Sequence, residues 1–158
     1  MRLRQFVFAL ALSLGLCSCA TMSGGGDRVD EVHLFGLPVT FNLDARPGAD
    51  GFAVRVFVTK GGSAKGAPIT AGSLEVLLFD GTAGPAELAT KQSLQVWHFT
   101  PRELGNVSVH TSLGIGYHFA LRWKQSPTHS YITVAARYVP PKGEPVYSLP
   151  STITTTVK

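Results

Sequence analysis

The 158-residue chain is short of charge: Asp, Glu, Lys and Arg make up 15% of it, against about 25% in an average soluble domain. Its basic residues stand singly after Arg4, with no run of three. A nucleic-acid footprint needs clustered positive charge, so that class of partner is set aside. No long apolar run is present either. The longest, residues 6–16 (FVFALALSLGL), has 11 residues, too few to cross a bilayer as a helix. With 17 glycines and 10 prolines the chain stays below the composition of disordered segments. A hydrophobic content of 44% provides a core for one domain of ordinary size. Disordered tails, coiled coils and multi-domain machines are excluded.

The N-terminal stretch has a processing pattern rather than a fold pattern. Arg2 and Arg4 precede the apolar run, and Leu16-Cys17-Ser18-Cys19 follows it. This order resembles the lipobox of bacterial lipoproteins, with Leu16 three residues before Cys19 and the small Ser18 just before it. Cys17 fits less well, because bulky Leu16 would occupy its small-residue position. The resemblance implies a signal peptide at 1–18, a diacylglycerol thioether on Cys19 and an amide-linked third chain. Two or more acyl chains hold stably at a membrane. Ala20 follows the lipidated position, where inner-membrane retention would want Asp. The expected location is therefore the outer membrane, facing the periplasm. Cleavage leaves Cys19 as the only cysteine and commits it to lipid, so no disulfide or thiolate site remains. Losing Arg2 and Arg4 takes 14 basic residues to 12 against 10 acidic, a net charge of about +2.

Residues 19–27 read as the lipidated Cys and a tether. Three consecutive glycines, 24–26, make it flexible. The eight residues after Cys19 reach at most ~28 Å.

From Glu31 onward the dominant period is two. Phe52, Val54, Val56 and Val58 share one face; so do Tyr117, Phe119, Leu121 and Trp123, and Ile132, Val134, Ala136 and Tyr138. Such alternation marks strands with one dry and one wet face, the habit of antiparallel sheets. Residues 73–79 (SLEVLLF) are almost continuously apolar and predict a central strand ending at the turn pair Asp80-Gly81. Residues 32–43, interrupted near Gly36 and Pro38, residues 94–99 and residues 106–111 complete the set. The stretch 145–157 is Thr-rich, and Pro145 and Pro150 make it an edge. One short helical turn is expected at Thr100-Pro101-Arg102-Glu103, a capping box with Pro at the first helical position and Gly105 as stop. About eight strands in residues 28–158 predict an all-β antiparallel sandwich, with a closed barrel as the alternative.

Chemistry is sparse. His33, His98, His110, His118 and His129 have no ligand-pair spacing, so no metal site or cofactor is expected. Thr128-His129-Ser130 has no carboxylate near it in sequence. A hydrolase would have to assemble its site from distant residues. Asp44 and Asp50 bracket a Pro-Gly turn and lack the rhythm of a calcium loop. Gly114-Ile115-Gly116 precedes a strand, not the helix of a phosphate loop. Trp123 continues an apolar stripe and reads as core; Trp97 reads as either core or interface.

The order of lipobox, Gly-rich tether, Leu74–Gly81 (LEVLLFDG), Trp97-x-Phe99 and Gly116-Tyr117-x-Phe119-x-Leu121-x-Trp123 resembles bacterial lipoproteins of uncharacterised role. These carry an immunoglobulin- or transthyretin-like sandwich. That group implies no catalytic residue. A narrower resemblance, to the small outer-membrane lipoprotein of type VI secretion, shares size, tether and sandwich but no matching loop pattern. The expected role is a non-enzymatic binding or envelope-assembly module, held to the membrane by its lipid and meeting an envelope protein. Two long connections flank the central strand, 60–72 and 81–92. Lys60, Ser63 and Lys65 on the Gly-rich first form a cationic lip expected to face the partner, leaving the second toward the membrane.

Overall fold

The alternating segments assemble into strands in a computed structural model, which describes residues 28–155. The segments read as signal peptide and tether, with Cys19, lie outside the described residues. In chain order the elements are β1 (Val29–Gly36), β2 (Gly51–Lys60), β3 (Ser73–Asp80), a single 3-10 turn (Pro85–Glu87), β4 (Gln95–Phe99), α1 (Pro101–Asn106), β5 (Ser108–Thr111), β6 (Gly114–Arg122), β7 (Tyr131–Val139), β8 (Val146–Tyr147) and β9 (Ser151–Thr154). They form two antiparallel sheets, β1-β2-β6-β5 and β4-β3-β7-β8, with β9 also on β7. The chain is an all-β sandwich.

The three period-two stripes meet between the sheets. Phe52, Val54, Val56 and Val58 of β2 and Tyr117, Phe119 and Leu121 of β6 pack against Leu74, Val76 and Leu78 of β3 and Ile132, Val134, Ala136 and Tyr138 of β7. Aromatic rings lock the layers together. Phe52 meets Trp97 edge-on at 5.5 Å and stacks on Trp123 at 6.4 Å; Phe99 lies 4.5 Å from Phe119. Trp123 thus belongs to the core, and the half-buried Trp97 packs against it.

The sides of the sandwich are closed differently. Beyond β1, Val39 bridges Thr154 in parallel, with the Thr40 N–H donating to the Thr154 carbonyl at 3.2 Å. Pro38 has no N–H and cuts β1 short of this bridge, so the expected strand at 32–43 is β1 followed by single bridges. On the other side α1 carries the chain from β4 to β5, and its Leu104 plugs the gap at 1% exposure. The capping box is formed: the Glu103 N–H donates to Thr100 Oγ1 and the Thr100 N–H to Glu103 Oε2. Helical geometry continues one residue past Gly105.

Two features exceed the expectation. The Thr-rich C-terminal segment splits into β8 and β9, both on the outer side of β7, because Ser148 Oγ takes the Ala136 N–H at 2.9 Å in place of a regular ladder. The connection 81–92 folds back over the outer face of β3 and β7. There Ala83 and Leu88 cover Leu77, Phe79 and Ala135 as a second, smaller core. This explains why residues 73–79 are apolar at both parities.

Candidate functional site

The outer face of the four-stranded sheet departs from the rule that such a face is polar. Register sets its rows. Phe35, Arg55 and His118 stand side by side across β1, β2 and β6; His33 pairs with Phe57 in the next row. Phe57 points away from the main core yet is only 4% exposed. Its ring rests on two glycines: a Cβ at Gly116 would come within 2.6 Å of it, and one at Gly66 within 2.9 Å. Phe35 meets Phe57 edge-on at 6.0 Å and stays 57% exposed, as does Leu113 at the β5–β6 tip. Between these walls the small Ala53 leaves a groove of about 500 Å³.

Arg55 and His118 are its polar groups. Among the described residues no carboxylate lines the groove and none pairs with Arg55. His118 Nε2 is buried without a hydrogen-bond partner. Burial, and then the neighbouring Arg55 charge, hold the His118 pKa below its ordinary value. The groove therefore offers one positive charge and an aromatic wall, with an unsatisfied imidazole nitrogen just beneath its surface.

The other polar groups are committed to structure. Asp80 accepts hydrogen bonds from the Thr128 N–H and hydroxyl and from the His129 N–H, and lies 3.1 Å from His129 Nδ1. Burial pushes its pKa up, but these hydrogen bonds outweigh that and hold it at about 2. Asp80 and His129, far apart in sequence, thus meet as an acid–imidazole pair. The Thr128 hydroxyl is given to Asp80, and no described hydroxyl hydrogen-bonds to His129 Nε2, so the pair clamps the 123–130 connection. Asp44 and Asp50 both pair with Arg122, Asp50 at 2.8 Å from its Nε. On the outer face of the five-stranded sheet, His98, Glu75, Arg137 and Tyr147 form one cross-strand row, with Arg137 Nε donating to Glu75 at 2.7 Å. His110 is exposed, opposite Ile115 on an edge strand. Among the described residues no three His, Cys, Asp or Glu converge as a metal site.

Lys60, Ser63 and Lys65 come together in one tight turn after β2. The Ser63 N–H donates to the Lys60 carbonyl at 3.1 Å, and the Lys65 N–H to Ser63 Oγ at 3.1 Å. Ser63 and Lys65 are exposed, and Lys60 is half-buried. The Gly62 N–H donates to Asp30 at the start of β1, so this turn lies at the N-terminal end of the first described strand. The rest of the connection is stitched down: Gly66 bridges Gly114, and the buried Ile69 donates its N–H to the Tyr117 hydroxyl at 2.7 Å. The connection 81–92, expected toward the membrane, leaves the opposite end of β3.

Of the groove's polar groups only His118 was singled out from sequence, as one of five histidines without ligand spacing, and the groove itself was not foreseen. The available signal was parity: Phe57 falls among the polar positions of the 52–59 stripe, as Phe35 does in β1. No family model, curated protein or solved structure matches the chain.

Proposed function

We propose that the protein is a lipoprotein of the bacterial envelope, acylated at Cys19 and tethered by residues 20–27 at the periplasmic face of the outer membrane. Its sandwich is a non-enzymatic binding module. The observation that carries the binding reading is the groove under Phe35, Phe57 and Leu113, an apolar recess on a sheet face ordinarily left to water. Side chains committed to a packed core need no such recess. In this arrangement Lys60, Ser63 and Lys65 lie at the tether end, so they meet a partner only close to the membrane, where cations also suit anionic headgroups. The groove lies along the flank of the sandwich, open to an envelope partner.

A photocrosslinking amino acid placed at Leu113, and in a second strain at Thr152 on β9, tests the reading in intact cells. Discrete adducts from position 113 and none from position 152 support it. Equal adducts from both positions, or none from 113, count against this face.

A further inference from the structure

We propose that the groove binds a single-chain aliphatic carboxylate, with its chain along Phe35, Leu37, Phe57 and Leu113 and its head group on Arg55 and His118. The inference rests on the reading of this face as the binding surface and names its ligand class. Three observations converge. The recess, about 500 Å³, has the size of small-molecule sites and lies within their range of about 300–1,000 Å³. Its walls are aromatic and aliphatic, and no described acid lines it, so an anion meets no repulsion there. Its polar groups are adjacent across β2 and β6: a guanidinium without a carboxylate partner and an imidazole whose buried Nε2 has no partner.

Buried polar atoms in native structures are nearly always paired, so the orphan nitrogen marks a position where a ligand atom belongs. The nitrogen lies just beneath the groove surface, so a small turn of the ring in its Nε2–H tautomer lets it donate to one carboxylate oxygen while Arg55 donates to the other. The choice of carboxylate over phosphate follows from charge. Arg55 is the one Lys or Arg side chain among the described residues lining the groove, which matches a monoanion and leaves the second charge of a phosphate monoester uncompensated.

The test is calorimetry on the full chain in phospholipid nanodiscs, with empty nanodiscs as blank and soluble octanoate, octanol and octyl phosphate as probes. Octanoate should bind saturably, one per chain. Octanol should bind about tenfold more weakly, the equivalent of one charge-assisted hydrogen bond. Arg55→Gln should weaken octanoate by a similar factor and leave octanol unchanged; Phe35→Ala should weaken both. Both positions are exposed, so neither variant threatens folding. Absence of saturable octanoate binding overturns the proposal. So does octanol binding as tightly as octanoate, or octyl phosphate binding more tightly. If octanoate fails while crosslinks from position 113 persist, this ligand falls and the binding face stands; if both fail, both readings fall.

Discussion

Gly116→Ala should destabilise the domain because Phe57 lies on the bare backbone there. The added Cβ would sit 2.6 Å from Phe57 Cε1 and 2.9 Å from Cζ, well inside contact distance. The same edge of the ring also faces Gly66, where a Cβ would come within 2.9 Å of Cδ1, so two bare backbones crowd the ring there. It must rotate outward into the groove. Overpacking of this kind costs about 1–3 kcal/mol. The backbone at Gly116 has no positive φ, so without the ring alanine is tolerated and contributes about 0.5–1 kcal/mol through reduced chain entropy. Phe57→Leu removes Cε1 and Cζ and supplies that background. Urea unfolding of the four proteins in a double-mutant cycle gives the coupling. With that entropy gain set against the clash, Gly116→Ala should lower the midpoint by about 0.5 M when Phe57 is present, for a typical slope of ~1–3 kcal/mol/M, and raise it by about 0.3 M in the Phe57→Leu background. An equal cost in both backgrounds would refute the packing that shapes the groove.

Asp80→Asn should destabilise by about 1–2 kcal/mol at neutral pH, a value reduced from full linkage because the carboxylate is about one-fifth exposed. The folded pKa of about 2 lies below the ordinary 3.8. That stabilisation is therefore complete above about pH 5 and fades as pH falls toward 2, where wild type and variant should converge in urea midpoint. A gap that persists unchanged at pH 2 contradicts the clamp. Leu104→Ala should cost ~2–5 kcal/mol as a buried plug, and Glu103→Ala ~0.5–2 kcal/mol through the lost cap, both read by thermal unfolding. Cys19→Ala should move the protein from the membrane to the soluble fraction while Cys17→Ala stays bound. An unmodified N-terminus after Cys19 in mass spectrometry would remove the anchor.

The core was legible because burial follows strand parity: Phe52, Tyr117, Phe119 and Ile132 are where alternation puts them. The cap at Thr100–Glu103 was legible because its hydrogen bonds are local. What escaped depends on chain folding back over long distances. Leu77 and Phe79 look like a strand buried between neighbours, but they are covered by Ala83 and Leu88 from a connection with no periodic pattern. Asp80 and His129 are 49 positions apart, and only the antiparallel β3–β7 ladder brings them together. The groove escaped because Phe57 is buried by the absence of side chains at Gly66 and Gly116. A glycine on a strand reads as turn or bulge, not as a seat for a ring on the neighbouring strand.

Hydroxyl-radical footprinting of the protein in intact envelopes, compared with the purified chain, addresses the binding face most directly. Phe35, Leu37 and Leu113 are exposed on that face, while Tyr131 and Leu149, 51% and 77% exposed, belong to the other sheet and its edge. Oxidation of Phe35, Leu37 and Leu113 should fall in the envelope while Tyr131 and Leu149 react as in the purified protein. Protection of Tyr131 and Leu149, with Phe35 and Leu113 reacting freely, would contradict the assignment of the groove as the surface through which this protein acts.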